Sequence, residues 1–429
     1  MQFKTISMIG LGYIGLPTAA VFASRKIKVI GVDVNQKAVD TINRGEIHIV
    51  EPDLDMVVHA AVKEGYLRAT TKPEPAEAFL IAVPTPFKGE NHEPDLRYIE
   101  SAAKAIAPVL AKGNLVILES TSPVGATEQM AEWLAEARPD LTFPQTHGEE
   151  SDIRIAHCPE RVLPGHVLRE LVQNDRIIGG MTPKCSQLAC TLYKTFVKGE
   201  CVVTNSRTAE MCKLTENSFR DINIAFANEL SVICEKLNIN VWELIGLANR
   251  HPRVNILQPG PGVGGHCIAV DPWFIVNSAP LEAKLIRSAR EVNDAKPAWV
   301  ISKVKSAVER VLLAAKNSER EIVDVVFFGV SFKANIDDLR ESPSVSIVRE
   351  CEKIEGVRCY VVEPNISELP EDLSGSQLLS CNQVIRPDVA VVLVDHDEFM
   401  CDEFRKFVGG CNEIIDCRGV IARPETLSK

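Results

Sequence analysis

An α/β fold with two doubly wound domains joined by a central helical segment follows from the order of elements along the chain. β-rich and helical runs alternate at first, helical spacing takes over from Ser206, and β-rich runs return near Ile322. The 429 residues also exceed one ordinary core. We therefore expect three regions, with boundaries at residues 1–203, 204–316 and 317–429.

Charge and cysteine content narrow the class of protein. The net charge of −11 argues against a nucleic-acid groove or an anionic membrane surface as the main partner. No uninterrupted apolar run reaches the ~18 residues that a membrane span needs. The 13 cysteines form neither a CxxC pair nor a cluster at zinc spacing, which predicts free thiols and no metal site. These features predict a cytoplasmic protein.

The stretch TISMIGLGYIGLPTAAVFASRKIKVIGVDV predicts a strand, a tight turn, a helix and a second strand. Gly10, Gly12 and Gly15 form GxGxxG, and Asp33 ends the second strand. Such glycines let the backbone approach a pyrophosphate at a helix N-terminus, and the acid accepts hydrogen bonds from a ribose diol while repelling a 2′-phosphate. Glycines in a tight turn can also be purely structural, but the complete unit favours NAD binding.

Three later strands of this domain end in polar residues. AFLIAVPTPF ends near Thr85, NLVILESTSPVGAT reaches Thr121, and DIRIAHCPERVLPG leads to Glu160 and Arg161. Ligands of open α/β sheets bind at the carboxyl ends of the strands. We expect these side chains at the ligand edge of the first sheet.

The central segment contains two helical runs. In the first, Ser206 is the predicted N-cap, and Lys213, Asn217 and Arg220 share one face. This face is either a solvated stripe or the wall of a pocket for an anionic, hydroxyl-rich ligand. In the second run, of about 35 residues, Pro297 should kink or split the helix.

Between these runs, the loop QPGPGVGGHCIAVDP (258–272) could bind phosphate, hold a metal or present a nucleophile. No apolar strand precedes it, and His266 and Cys267 are adjacent without a second ligand pair, which disfavours the first two interpretations. The glycines would allow close approach of a substrate. A buried inert thiol remains the alternative for Cys267.

The third region has strands at EIVDVVFFGV, VRCYVVEP, PDVAVVLVDH and NEIIDCRG. It contains neither GxGxxG nor a P-loop. A nucleotide could still bind there through Lys333, Arg340 and Arg418.

The motifs GLGYIG, VPTP, STSPVG, CPERVLPG, AEMCKLTENSFRD, GPGVGGHCIAVDP, FKANIDDLRES and DCRG occur in this order. Along the whole chain they resemble the UDP-sugar 6-dehydrogenases of the UDP-glucose/GDP-mannose dehydrogenase family. The resemblance implies an N-terminal NAD-binding Rossmann domain, a central dimerisation segment, a C-terminal Rossmann-like UDP domain and a homodimer. GGHC, PERVLPG and NRHPRVNILQPGPG are similar to the branch that oxidises UDP-N-acetyl-D-mannosamine for enterobacterial common antigen. UDP-glucose and UDP-N-acetylglucosamine remain the alternative substrates.

The resemblance also implies a four-electron oxidation of the sugar C6 alcohol by two NAD and one water. Cys267 would form a thiohemiacetal and then a thioester. Lys213 would transfer a proton or stabilise an oxyanion, Asn217 and Asp271 would hold the reacting oxygen, and Glu160 would activate water positioned by Thr121. The division of acid and base roles among Lys213, Asp271 and Glu160 stays open.

Binding residues carried over from the family fall into two sets. The predicted NAD contacts are Gly10, Gly12, Tyr13, Ile14, Gly15, Asp33, Thr85, Thr127 and Arg340. The predicted UDP-sugar contacts are Glu160, Arg161, Lys213, Asn217, Arg220, His251, Arg253, Gly264, Phe332, Lys333 and Arg418. Two other functions compete with this one. A two-electron β-hydroxyacid dehydrogenase would explain neither Cys267 nor the third region, and a non-catalytic NAD or UDP-sugar sensor would need no nucleophile.

Overall fold

The computed structural model describes residues 3–49, 51–89, 91–162, 165–265, 267–314, 322–383 and 385–421. The chain forms two compact units, Met1–Glu216 and Asn217–Lys429, and the division falls inside one long helix. The three predicted regional boundaries stay a prediction. No helix in these described ranges combines the length and the apolar character that a membrane crossing requires.

The first unit contains an eight-stranded sheet in the order β10-β9-β8-β7-β4-β1-β2-β3. β4 and β7 are buried along their whole length, because helices cover both faces of the sheet. The strands are β1 Thr5–Ile9, β2 Lys28–Val32, β3 Leu67–Thr70, β4 Ala78–Ile81, β7 Leu115–Leu118, β8 Arg154–His157, β9 Arg176–Gly180 and β10 Cys201–Asn205, with a separate hairpin of β5 Phe87–Lys88 and β6 Glu93–Pro94.

One strand reverses the direction of this sheet. β9 pairs antiparallel with β8, whereas β10 is parallel to β9 and the other neighbours are parallel to one another. The start of β9 therefore lies at the edge where β7 and β8 end. This edge carries several of the predicted site residues.

The helices of the first unit surround the sheet, and the last of them continues into the second unit. They are α1 Gly15–Ser24, α2 Gln36–Asn43, α3 Leu54–Lys63, α4 Arg97–Ile106, α5 Ala126–Ala137, α6 Pro144–His147, α7 Val167–Gln173, α8 Pro183–Tyr193 and α9 Ser206–Lys236. The predicted N-cap of α9 is wrong by one residue. Ser206 is already helical, and Asn205 Oδ1 accepts the amide of Thr208 at 2.8 Å.

The second unit combines helices with a five-stranded parallel sheet in the order β13-β12-β11-β14-β15. Its elements are α10 Val241–Ala248, α11 Asp271–Ser278, α12 Lys284–Ala314, β11 Val323–Phe328, α13 Pro343–Cys351, β12 Val357–Val362, β13 Ser376–Leu379, β14 Val389–Val392, α14 Asp402–Gly409 and β15 Glu413–Asp416. The sequence predicted four of these strands. It missed β13, a short edge strand that is only partly buried.

Pro297 does not split α12, which runs without interruption over 31 residues. Buried side chains continue at helical spacing on both sides of it, at Asn293, Lys296, Val300 and Val304. The packing of this face outweighs the loss of one backbone hydrogen bond. The prediction of a split is therefore wrong.

Candidate active site

In the glycine-rich turn after β1, protein atoms fill the space of a Cβ at two glycines and leave it empty at the third. Gly10 has φ +91°, and a Cβ there would lie 2.4 Å from the Ala82 carbonyl oxygen. A Cβ at Gly15 would lie 1.8 Å from the carbonyl oxygen of Gly10, whereas one at Gly12 would meet nothing within 4 Å. The fold itself requires Gly10 and Gly15. The open backbone at Gly12 fits the close approach of a dinucleotide pyrophosphate.

Asp33 follows β2 and holds this turn. Its Oδ2 accepts the amide of Leu11 at 2.9 Å, and its Oδ1 accepts the amide of Asn35 at 2.9 Å. The half-buried carboxylate keeps lone pairs for a ribose diol. Tyr13 and Ile14 precede α1, whose N-terminus has no side-chain cap. These features fit NAD, with its pyrophosphate at the start of α1.

Two predicted threonines make contacts inside the first unit. The Thr85 hydroxyl, after β4, donates to the carbonyl oxygen of Thr121, after β7. Thr127 is fully buried, and its amide and hydroxyl donate to Glu210 Oε1 at 2.8 Å and 2.6 Å. Glu210 also accepts the amide of Gly125 at 2.7 Å. No pattern in the sequence singles out Glu210, although it lies in the AEMCKLTENSFRD stretch.

Glu160 lies in a buried cluster that the sequence analysis did not predict. Arg176, the first residue of β9, donates to Glu160 and is 3.6 Å from Glu119. Tyr193 donates its hydroxyl to Glu119 at 2.5 Å, and its ring lies 4.3 Å from the Arg176 guanidinium carbon. Burial raises the pKa of Glu119 to about 7, although Arg176 opposes this rise. No sequence motif marks this cluster, because the reversed direction of β9 assembles it.

Arg161 and Lys213 complete the predicted residues of the first unit. The Arg161 amide donates to Glu160 Oε1 at 2.8 Å, and its guanidinium pairs with Glu216 of α9 at 2.6 Å. Lys213 on α9 is half-buried and makes no hydrogen bond or ion pair with the described residues. Its ammonium is therefore the less constrained of these two cations.

In the second unit, the structure brings Asn217, Asp271 and Cys267 together. Asn217 Nδ2 donates to Asp271 Oδ2 at 2.5 Å. Asp271, the first residue of α11, donates its amide to the Cys267 carbonyl oxygen at 2.8 Å. Asp271 is 3% exposed, whereas Cys267 is half-buried in the turn before α11. The backbone of the turn that carries the Cys267 thiol is thus hydrogen-bonded to Asp271, whose carboxylate accepts the Asn217 side chain. The catalytic roles that the resemblance implies for these residues stay a prediction. His266 lies outside the described residues.

The glycines of this loop serve packing within the protein. A Cβ at Gly264 would lie 2.6 Å from the Glu341 carbonyl oxygen and 2.8 Å from the Phe332 Cβ. A Cβ at Gly265 would lie 3.0 Å from the Phe332 ring. Gly264 and Phe332, which are both predicted UDP-sugar contacts, therefore lie against each other. Atoms of the protein itself therefore need the space beside Gly264, in addition to any atoms of a substrate.

A cation approaches the start of the same loop. Arg418 Nε donates to Asp395 at 2.8 Å, and Arg418 Nη1 donates to the Pro259 carbonyl oxygen at 3.4 Å. A Cβ at Gly260 would lie 2.8 Å from Arg418 Nη1, so the guanidinium approaches the backbone of this loop closely. The Gly260 amide donates to Asn228 Oδ1 at 2.8 Å. Asn228 is a buried support that the sequence did not reveal.

The remaining predicted contacts of the second unit are exposed, namely Arg220, His251, Arg253, Lys333 and Arg340. Arg340 pairs with Asp338, with Nη2 at 2.6 Å from Oδ2. The amide of Arg253 donates to the His251 ring at 3.3 Å. Across all described ranges, no three acidic, histidine or cysteine side chains are arranged to hold a metal.

Known proteins resemble this chain over nearly its whole length. Profiles of the UDP-glucose/GDP-mannose dehydrogenase family match in three parts: the NAD binding domain over residues 4–197, the central domain over 207–295 and the UDP binding domain over 326–423. UDP-N-acetyl-D-mannosamine dehydrogenase of Escherichia coli (strain K12) is 65% identical over 426 residues, which cover 98% of this chain and 100% of that protein. NDP-N-acetyl-D-galactosaminuronic acid dehydrogenase of Ralstonia nicotianae is 67% identical over 400 residues, which cover 93% of this chain and 92% of that protein.

Solved structures agree with the sequence relatives. The UDP-D-ManNAc dehydrogenase of Pyrococcus horikoshii matches with a TM-score of 0.85 and 38% identity, over 98% of this chain and 96% of that one. The UDP-N-acetyl-mannosamine dehydrogenase of Staphylococcus aureus matches with a TM-score of 0.82 and 39% identity, over 97% of this chain and 95% of that one.

Proposed function

Because this chain belongs to the UDP-glucose/GDP-mannose dehydrogenase family, we propose that it oxidises UDP-N-acetyl-D-mannosamine at C6. One sugar alcohol, two NAD and one water give the carboxylate, two NADH and three protons. The arrangement of Cys267, Asp271 and Asn217 carries the proposal, because the turn that bears the Cys267 thiol is hydrogen-bonded to Asp271, whose carboxylate accepts the Asn217 side chain. The name of the E. coli relative supports the choice of sugar.

The first oxidation converts the C6 alcohol to an aldehyde. Bound NAD supplies the hydride acceptor, and Asp33 with the open backbone at Gly12 holds it. Lys213, which has no competing ion pair among the described residues, stabilises the negative charge that develops on the oxygen. Asn217 and Asp271 orient that oxygen by hydrogen bonds.

The second oxidation proceeds through a covalent intermediate on Cys267. The Cys267 thiolate attacks the aldehyde carbon to give a thiohemiacetal, whose C–H bond then supplies the second hydride and leaves a thioester. Glu160 takes a proton from the attacking water, the C–S bond breaks, and the carboxylate leaves. Arg176 holds the Glu160 carboxylate in place throughout.

The yield of NADH per sugar tests the reaction. Full conversion of limiting UDP-N-acetyl-D-mannosamine should give two NADH, measured by absorbance. One NADH would instead indicate a two-electron dehydrogenase, and none would contradict catalysis. Turnover of the N-acetylglucosamine, N-acetylgalactosamine and glucose analogues then tests the sugar. The Ralstonia relative makes the galactosamine analogue the second candidate substrate.

Replacement of the nucleophile tests the covalent step. Cys267→Ser should bind NAD and UDP-sugar normally but should release the acid roughly 10³-fold more slowly or worse. Cys212→Ser is the matched control, because Cys212 is another half-buried thiol and has no proposed role. Acid formation at the normal rate by Cys267→Ser would exclude the thioester route.

We also propose that the protein is a homodimer that uses the exposed face of α9. Phe219, Phe226 and Ile233 follow at intervals of seven residues and are 69%, 50% and 45% exposed. Phe219 lies ~200° around the helix from Asn217, so this stripe leaves the polar face free. Phe226→Asp should shift the sedimentation coefficient to that of a monomer, and an unchanged dimer would exclude this face.

The 13 free thiols support a reducing, cytoplasmic location.

A further inference from the structure

Two buried carboxyl groups in the first unit share one arginine, and the proposed reaction uses only one of them. Arg176 Nη2 donates to Glu160 Oε2, while Arg176 Nη1 lies 3.6 Å from Glu119 Oε1. The side chains of Arg176 and Glu119 are 5% and 0% exposed, so water screens their interaction little. When both carboxyl groups are ionised, these three side chains carry an uncompensated negative charge.

The two carboxyl groups differ in the number of donors that hold them. Glu160 accepts hydrogen bonds from Arg176 and from the Arg161 amide. From the part of the chain that the structure describes, Glu119 accepts one hydrogen bond, from the Tyr193 hydroxyl. A buried carboxyl group with fewer donors gives up its proton less readily, so Glu119 is the group that takes up a proton. Burial raises the pKa of Glu119 to about 7, so its charge changes near neutral pH.

We propose that Glu119 controls the basicity of Glu160 through the shared Arg176. The inference rests on the proposed role of Glu160 as the base that activates water. When Glu119 is protonated, the Arg176 charge acts on Glu160 alone and makes its carboxylate a weak base. When Glu119 loses its proton, the Arg176 charge is divided between two carboxylates, and Glu160 draws the proton of water more strongly.

Burial keeps the pKa values of the nearest cysteine, tyrosine and histidine side chains away from neutral pH. Burial raises the pKa of Cys158 and of Tyr193 well above their ordinary values. Burial also lowers the pKa of His157 to about 3, so this residue stays neutral. Other neighbours are Cys190 on α8 and Cys201 on β10, whose pKa values burial also raises, the ion pair of Arg161 with Glu216, and the charged side chains of Asp175 and Lys194.

A single-turnover experiment on Glu119→Gln tests the proposal. The full-length enzyme is mixed with NAD and UDP-N-acetyl-D-mannosamine, and NADH, enzyme-bound thioester and free acid are followed at several pH values. Both NADH should form at the normal rate, but thioester hydrolysis should slow by about threefold to tenfold near pH 8. The inflection near pH 7 in the hydrolysis rate should also disappear. A wild-type rate with a wild-type inflection would overturn the proposal.

Two further variants distinguish tuning from loss of structure. Tyr193→Phe keeps the Glu119 carboxyl but removes its hydrogen bond, so the inflection should move to higher pH. An unmoved inflection in this variant counts against the proposal. Glu160→Gln should accumulate thioester, and normal hydrolysis there would remove the premise that Glu160 is the base. If thioester hydrolysis is slow in Glu160→Gln but normal in Glu119→Gln, Glu160 is the base and only its control by Glu119 is refuted.

Discussion

The two sheets share one backbone arrangement where their central strands end. Gly10 after β1 and Gly329 after β11 have φ +91° and +85°. The Gly10 amide donates to Val32 at 2.8 Å, and the Gly329 amide donates to Val362 at 2.9 Å. In each sheet the residue that follows the neighbouring strand is an acid. Asp33 follows β2 and Glu363 follows β12, and each accepts an amide of the turn. The two units therefore repeat one turn geometry.

The side chains around the two acids differ. Asp33 is half-buried and leaves lone pairs for a ligand. Glu363 is 4% exposed and accepts the amides of Val330 and Ser331 and the His396 Nε2 at 3.1 Å. Burial opposes the ionisation of Glu363, but these hydrogen bonds outweigh it and lower the pKa of Glu363. Asp33 can therefore bind a cofactor, whereas Glu363 stabilises the turn whose amides it accepts.

Removal of the second acid should have the largest effect on stability. Glu363→Ala leaves His396 and two buried amides without their acceptor and should cost about 3–5 kcal/mol of unfolding free energy. Hydrogen exchange should locate the loss in the second unit. Glu363→Gln is the control, since it keeps one carbonyl acceptor and should lose less. If Glu363→Ala raised the KM for NAD without loss of stability, the proposed difference between the roles of Asp33 and Glu363 would be contradicted.

A pair of glycine variants separates fold from ligand in the first turn. Gly10→Ala should cost about 2–4 kcal/mol of unfolding free energy, because its Cβ would overlap the Ala82 carbonyl at positive φ. Gly12→Ala meets no protein atom and should leave stability within about 0.5 kcal/mol. It should nevertheless weaken NAD binding about tenfold by calorimetry, because it blocks the pyrophosphate. Equal effects of both variants on stability would contradict this division.

The buried acid of the first unit should make stability depend on pH. Glu119 has its pKa raised from 4.5 to about 7, so the folded state holds this proton longer than the unfolded state. Its contribution is complete below pH 4.5 and is lost as pH rises through 7. Relative to wild type, Glu119→Gln should gain up to about 3 kcal/mol across this range, as measured by urea unfolding. A pH-independent difference would show that Glu119 does not titrate there.

Loss of the first acid should act mainly on the cofactor. Asp33→Ala removes a carboxylate that binds two amides and should raise the Kd for NAD about tenfold to hundredfold. It should also reduce the preference for NAD over NADP, because the charge that repels a 2′-phosphate is gone. Asp33→Asn is the control that keeps an acceptor without the charge. Unchanged discrimination in both variants would contradict the assigned role.

Local patterns predicted the parts of the fold that neighbouring residues determine. The turn at Gly10, the acid at Asp33 and the strand ends at Thr85 and Thr121 follow from short stretches of sequence. The position of Cys267 needed the family motif, because a single cysteine among 13 carries no signal of its own. The contacts of this residue with Asp271 were then found in the second unit.

Contacts between distant residues were not predictable in this way. Glu119, Arg176 and Tyr193 meet only because β9 is antiparallel to β8, and sequence periodicity does not reveal strand direction. The cap at Asn205 was missed because β10 runs directly into α9 and leaves no loop between them. The sequence predicts that Gly264 leaves space for a ligand, but it does not reveal that Glu341 and Phe332 also pack against this glycine.

The reversed strand has a consequence for protein engineering. The ladder fixes the position of Arg176, because this residue pairs with Cys201 of β10 and donates its amide to Glu200. The connection between β8 and β9 contains Glu160, to which the Arg176 guanidinium donates, and α7, whose Val167 and Leu171 are buried. A segment inserted there would therefore displace one carboxyl partner while the ladder kept the guanidinium in place. A redesign of the enzyme should keep the length of this connection.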